Sequence, residues 1–300
     1  MKQVVLGAAV GLLLSASAVS AADMAVKARP MVAPAPVMTW TGFYVGINGG
    51  GAWMDGPSMT YRDLAIGDTV NAYAPSTVNP SSSTNWVAGF HAGYNWQASP
   101  NWVIGIEGDW NWTNLDASGT NRLFGNTNSL NQTFGLLTDN VSLQTKVNWL
   151  ASVRGRVGYA TPNWMLYGTG GVAFADMDFN AQVNCTGPVR APGASLCDAP
   201  GQSIRRTGFS DTRVGWVAGA GAEFKPTANW IFGVEYLYYR FDDTNTGGGS
   251  WTFPSGAPAP FYSCTVAGQN CARFSYGDLN VQTVRARLSY QFGGPVVAKY

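Results

Sequence analysis

Trp149-Leu150-Ala151-Ser152-Val153-Arg154-Gly155-Arg156-Val157-Gly158-Tyr159-Ala160-Thr161-Pro162-Asn163-Trp164 carries in one stretch the two signals that decide the fold. Up to Tyr159 the residues alternate. Trp149, Ala151, Val153, Val157 and Tyr159 share one face, while Ser152, Arg154 and Arg156 share the other with Gln144, Lys146 and Asn148 upstream. A period of two marks a strand with unlike faces. Thr161-Pro162-Asn163 then breaks the run, and a second strand-like run starts at Trp164. A tight proline-bearing turn between two such runs predicts a β-hairpin.

The unit recurs. Asn95-Trp96-Gln97-Ala98-Ser99-Pro100-Asn101-Trp102 leads into Val103 to Trp112. Ala222-Glu223-Phe224-Lys225-Pro226-Thr227-Ala228-Asn229-Trp230 leads into Ile231 to Phe241. Three hairpins make six strands, and a run at either end adds two more. The predicted strands are 41–53, 84–97, 101–112, 144–159, 163–178, 211–225, 229–241 and 279–292. Eight is even, as single-chain bacterial outer-membrane barrels require, and most runs reach the roughly 9–11 residues a tilted strand needs to cross a bilayer. The connections alternate as well: short within hairpins, long and polar at 54–83, 113–143, 179–210 and 242–278. Long structureless connections are uncommon in a compact soluble domain, but short periplasmic turns and longer external loops are normal in membrane barrels. The expected fold is all-β: an eight-stranded antiparallel transmembrane β-barrel with short periplasmic turns and four long extracellular loops.

In such a barrel the apolar face meets lipid and the polar face shares the lumen. Glu107, Asp109, Arg154, Arg156, Arg213, Glu223, Glu235, Arg285 and Arg287 fall on predicted inner faces. They are expected to form a lumen charge network, because unpaired charge is costly in a poorly hydrated space. Side chains fill the interior of eight strands, so a plugged polar core is expected. Trp40, Trp96, Trp102, Tyr159, Trp164 and Trp230 near the short turns, and Trp53 and Trp112 near the loops, are expected to form aromatic girdles at the two membrane interfaces.

Composition agrees with an exported membrane strand protein. Gly stands at 37, Trp at 12, Tyr at 13 and Phe at 14 against 18 Lys and Arg together, an unusual balance for a soluble enzyme. A net charge of +1 without a basic stripe gives no reason to expect nucleic acid. Lys2, the apolar Val4 to Leu14 and Val19-Ser20-Ala21 read as a secretory signal, residues 1–21, cleaved after Ala21. Residues 22–39, with Pro30, Pro34 and Pro36, read as an Ala/Pro-rich periplasmic leader. The barrel is expected over 40–292 and a C-terminal periplasmic tail over 293–300. Cys185, Cys197, Cys264 and Cys271 form two close pairs in the loops and are disulfide candidates; three pairings are open, local pairing being the simplest.

Little points to catalysis. His91 is the only histidine and has no companion ligands; its parity places it inward. The inner carboxylates face arginines, which makes structural ion pairs the better reading. Gly49-Gly50-Gly51 and Gly168-Thr169-Gly170-Gly171 lack the Lys-Ser/Thr of a phosphate loop. Asp176 and Asp178 read as a solvated rim. No catalytic residue, metal site or cofactor is expected.

Trp40-Thr41-Gly42-Phe43-Tyr44-Val45-Gly46, the Arg154-Gly155-Arg156-Val157-Gly158-Tyr159 block, Gly233-Val234-Glu235-Tyr236 and Val284-Arg285-Ala286-Arg287-Leu288-Ser289-Tyr290-Gln291-Phe292 together resemble the alphaproteobacterial Omp25/Omp31-like outer-membrane proteins. These are grouped with opacity-type eight-stranded barrels and often labelled a porin family. The resemblance covers most of residues 40–293. It implies an abundant protein of a Gram-negative outer membrane that contributes to envelope integrity, with no catalytic residues to carry over. Gly293 to Tyr300 extend past the last-strand aromatic at which many members end, so either Phe292 or Tyr300 could be read during assembly. The expected partners are outer-membrane lipid and lipopolysaccharide, the barrel assembly machinery, and peptidoglycan or external surface ligands through the loops. The expected role is structural and surface-interacting, with a side-chain-filled polar lumen; the alternative is a porin forming a narrow passive channel for small solutes.

Overall fold

The computed structural model describes residues 38–63, 76–122, 126–127, 133–134, 140–184, 203–242 and 272–292. The expected signal, the leader up to residue 37, the tail at 293–300 and all four cysteines lie outside the described residues.

Eight long strands follow one another: β1 (Gly42–Asp55), β2 (Ser83–Ser99), β3 (Trp102–Arg122), β4 (Asn140–Ala160), β5 (Trp164–Asn184), β6 (Ser203–Phe224), β7 (Trp230–Phe241) and β8 (Leu279–Gln291). Each pairs antiparallel with the next, and β8 returns to β1 from Tyr44↔Gln291 to Asp55↔Asn280, closing the barrel. Closure leaves no unpaired edge in this sheet.

The repeated Asn-Trp pair of the turns has a structural reason. Asn101, Asn163 and Asn229 each donate a side-chain amide hydrogen bond to the end of the next strand pair, at Ala160 O (3.1 Å), Lys225 O (2.9 Å) and Gln291 O (2.9 Å). Each also accepts on its own carbonyl from the backbone N–H of that same residue, at 2.7, 2.8 and 2.7 Å. A short turn is thereby locked to its neighbour, and the tryptophan that follows, exposed at Trp102, Trp164 and Trp230, points outward.

The strands of the third to sixth positions run further than expected. Residues 113–122, 140–143, 179–184 and 203–210 are strand where long polar connections were predicted. The polar residues there lie on the outer wall, as at Asn114, Asp116 and Ser118, while Leu115 and Ala117 are buried inside. This stretch of wall is polar outside and apolar inside, the reverse of the lower half, and so reads as loop by composition. Two short strands from the first connection, Met59–Asp63 and Ser76–Val78, join Ala272–Tyr276 from the last in a three-stranded sheet. Met59, Tyr61, Val78 and Tyr276 from it are buried with Leu143, Val147, Phe179, Tyr239 and Phe241 of the barrel wall, so the sheet caps the long-connection end.

Register shifts near the strand ends, at Gln97/Ser99 and Ser203/Arg205, and also in the middle of the wall. Between Val147 and Trp149 β4 shifts against both β3 and β5, and its inward set changes from Leu150, Ser152, Arg154 and Arg156 to Val147, Thr145, Leu143 and Val141. A bulge changes side-chain parity because the period is two. Gln144, Lys146 and Asn148, expected inside, therefore stand on the outer wall. There Gln144 donates to Asp116, and Asn148 donates to Asp176 at 3.1 Å and Asp178 at 2.8 Å.

Tight curvature demands glycine where the wall presses on itself. At Gly171, opposite Arg154, a Cβ would lie 2.1 Å from Val153 O and 2.7 Å from Arg154 Cα. At Gly51 a Cβ would meet nothing within 4 Å. Gly171→Ala is expected to destabilise the folded barrel by about 3 kcal/mol, read as a lower urea midpoint in detergent, while Gly51→Ala leaves the midpoint unchanged or raises it.

Candidate functional site

The lumen at the level of the apolar outer belt is built from the inward positions of six strands. Glu107 and Asp109 come from β3, Arg154 and Arg156 from β4, Tyr167 from β5, Glu223 from β6, Glu235 from β7, and Arg285 and Arg287 from β8. The eight charged side chains are exposed by 3% or less. Arg154 is the hub, at 2.6 Å from Glu107, 2.9 Å from Asp109 and 3.0 Å from Glu235. Arg285 reaches Glu235 at 2.5 Å and Asp109 at 3.2 Å. Arg287 pairs with Glu235 at 2.7 Å and also with Glu107. Arg156 lies 2.9 Å from Glu223 and 3.3 Å from Glu107.

Four guanidinium groups thus face four carboxylates. The pairs Arg154–Glu235 and Arg287–Glu107 cross between strands that are not neighbours, so the network ties opposite walls together as well as adjacent ones. Two phenols that sequence reasoning left unassigned complete it. Tyr44 donates to Glu107 at 2.7 Å and accepts from Arg156 at 2.9 Å; Tyr167 donates to Glu235 at 2.9 Å and accepts from Arg287 at 3.0 Å. Strand parity could have placed both inside, but aromatic residues in a membrane strand read first as lipid-facing. Arg213 is set apart from this cluster. It lies opposite Ala175, further along the wall than Arg154 opposite Gly171, and its guanidinium sits over the rings of Phe179 and Tyr276 at 5.0 and 5.9 Å. His91 faces the lumen, with Nε2 2.8 Å from Ser289 Oγ. The interior above the network is mostly apolar, with Arg213, Thr113 and Thr145 buried among the apolar side chains, where a polar lumen was expected.

Trp40 was expected in the outer girdle and is instead fully buried in the short-turn mouth. It precedes β1, so strand alternation does not govern it. Its backbone N–H donates to Gln97 Oε1 at 3.0 Å and its indole N–H to Thr161 O at 2.8 Å. Lys225 Nζ lies 5.5 Å from its ring centre and donates to Thr39 O at 2.5 Å and Gln291 Oε1 at 2.7 Å. All three short turns and the end of β8 therefore contact the segment Met38 to Thr41. Trp96, Trp102, Trp112, Tyr159, Trp164 and Trp230 are exposed on the outer wall, and Trp53 is half-buried. Trp86 and Trp216, which sequence reasoning did not single out, stand exposed, and Trp110 stacks on Trp149 with centroids 4.2 Å apart.

The outer membrane protein β-barrel domain family matches residues 9–292. The chain belongs to this family. Among curated relatives it is similar to the 31 kDa outer-membrane immunogenic protein of Brucella melitensis, 32% identical over 79% of this chain and 86% of the relative. It is also similar to the 25 kDa outer-membrane immunogenic protein of Brucella canis, 29% identical over 82% of this chain and 87% of the relative. Among solved structures it matches the outer membrane protein OprG from Pseudomonas aeruginosa at 13% identity, with a TM-score of 0.43 over 84% of this chain and 97% of that one. The protein is thus an Omp25/Omp31-like β-barrel of a Gram-negative outer membrane, with its short turns on the periplasmic side. The named relatives are immunogens, with no enzymatic activity in their names. Among the described residues no group of three or more His, Cys, Asp or Glu side chains is placed to hold a metal ion.

Two predictions follow from this geometry. Arg154→Met takes one arginine from each of three buried carboxylates, Glu107, Asp109 and Glu235, and is expected to cost about 3–5 kcal/mol in urea unfolding. Lys146→Met removes only the half-exposed 3.8 Å contact with Asp116 and should change stability by less than about 1 kcal/mol. At the periplasmic mouth, burial pulls the Lys225 ammonium down from 10.5 to about 8. The folded form then holds that proton less tightly than the unfolded chain, so the stability this group contributes rises from about pH 8 to about pH 10.5. The urea midpoint of the native protein should climb more steeply across that window than that of Lys225→Met.

Proposed function

We propose that this protein is a closed structural and surface-presenting component of the outer membrane. It would contribute to envelope integrity and act through its external loops, without serving as a solute channel. The observation that carries this reading is the filled cross-section at the charge network: eight buried, mutually paired side chains span the lumen from wall to wall. The mouths add to it. Trp40 and Lys225 occupy the periplasmic end, and the apolar cluster beneath the small sheet occupies the other. A solute would have to part charges that are costly to separate in a dry interior.

The names of the Brucella relatives support surface presentation, since an immunogen must be reached by the immune system. The outer belt of exposed Trp, Tyr, Phe, Ile and Val fits hydrocarbon between two aromatic girdles. On this reading lipopolysaccharide borders the outer half of the belt, and the assembly machinery inserts the barrel. Peptidoglycan or external ligands are then the partners of the periplasmic and loop surfaces.

Planar-bilayer recording decides between this role and a narrow porin. The purified, folded barrel should give no stable unitary steps at moderate voltage. Reproducible single-channel steps from the native protein would overturn the closed-barrel reading in favour of a passive channel.

A further inference from the structure

Most of the lipid-facing belt is bulky. Phe43, Val45 and Ile47 on β1, Phe90 and Tyr94 on β2, and Trp102, Ile104 and Ile106 on β3 all project outward and are exposed. Small outward residues also occur elsewhere, as at Ala88, Ala92 and Gly108, but they are most numerous between β4 and β7. Outward positions there include Gly155, Gly168, Gly170, Ala218, Ala220 and Ala222. The ladders align Val157, Gly168, Ala220 and Tyr236 in one row, and Tyr159, Leu166, Ala222 and Val234 in the next. The result is an open, largely apolar groove of about 660 Å³, rimmed by Trp102, Tyr159, Leu166, Val234 and Tyr236.

We propose that this groove holds one acyl chain of a glycerophospholipid from the periplasmic leaflet. Its depth argues for that leaflet: the lower row lies just inside the short turns, where Tyr159 and Leu166 flank the turn carrying Pro162 and Asn163. Its chemistry argues for a chain and not a headgroup. No Lys or Arg lines it, and the nearby Lys225 ammonium is turned inward to Thr39 and Gln291. Glu235, which reaches the floor, is held by Arg154, Arg285 and Arg287 on the lumen side. Shape argues against a second barrel. Its own protruding side chains would rest on Trp102 and Tyr236 and leave the glycine floor empty, whereas a flexible chain follows the floor and recovers the contacts that a void forfeits.

The test uses the full chain reconstituted in phosphatidylethanolamine or phosphatidylglycerol vesicles that carry a small share of the same lipid with a photoreactive diazirine on its acyl chain. Crosslinked peptides are mapped by mass spectrometry. Labelling at Leu166–Gly168 and Ala220–Ala222 should exceed that at Phe43–Ile47 by at least about fivefold, the enrichment given by roughly 1 kcal/mol of preference, and equally for both headgroups. Gly168→Leu with Ala220→Leu fills the groove from the lipid side; a Cβ at Gly168 would come no closer than 4.0 Å to its nearest neighbour, Gly219 O. The filled variant should lose the enrichment and keep the native protein's gel mobility shift between unboiled and boiled samples. Should it fail to assemble, the map of the native protein decides alone. Even labelling around the barrel, a dependence on headgroup, or protein–protein crosslinks through the groove would overturn the proposal.

Discussion

Within hydrocarbon no water is available to hydrogen-bond a free amide or carbonyl, so a spanning sheet must close on itself. Here closure is made by β8 pairing with β1 over the register from Tyr44↔Gln291 to Asp55↔Asn280. The rest follows from the small number of strands. Eight strands leave an interior that side chains can fill, and the wall bends tightly enough that Gly171 has no room for a Cβ. The reciprocal Asn hydrogen bonds at the short turns pin one end of this closed ladder, joining each hairpin to the next.

Filling the lumen with ions is expensive in desolvation, and an apolar filling of equal volume could be as stable. The charges contribute something different. If both faces of every strand were apolar, a slip by one residue would cost little, because each face could meet lipid. With Arg154, Arg156, Arg285, Arg287 and four carboxylates inside, the same slip would push several charges into hydrocarbon. Register is then strongly specified. The cost of the ions is offset by completeness: each carboxylate has at least one arginine, most have two or more, and the Tyr44 and Tyr167 hydroxyls bridge between them.

Beyond the apolar belt the environment inverts and the wall inverts with it. Outside the bilayer the outer surface meets water, so Asp116, Gln144, Lys146, Asn148, Asp176 and Asp178 stand there, while Leu115, Leu143, Val147 and Phe179 pack inside under the small sheet. On β3 and β5 the chain makes this change by residue choice at constant parity. On β4 it does so with a bulge beside Asn148. The interior is thus two compartments, ionic at membrane depth and mostly apolar above it, with Arg213 the charge among the upper rings.

Alternation and turn chemistry are local properties, so the sequence alone determined eight strands, three tight hairpins, the outward apolar belt and the inward parity of Glu107, Asp109, Arg154, Arg156, Glu223, Glu235, Arg285 and Arg287. Which arginine meets which carboxylate was not legible, because partners such as Arg287 and Glu107 lie far apart in the chain and meet only across a closed lumen. The bulge was equally hidden: one extra residue leaves no mark in composition, yet it turned Gln144, Lys146 and Asn148 to the outer wall. Trp40 shows the same limit, since a tryptophan beside a turn reads as interfacial until three turns and the last strand converge to bury it. The extended strands read as loops because composition records polarity without saying which side of the wall faces water. That side is set by how far each strand rises above the bilayer, and only the closed barrel decides it.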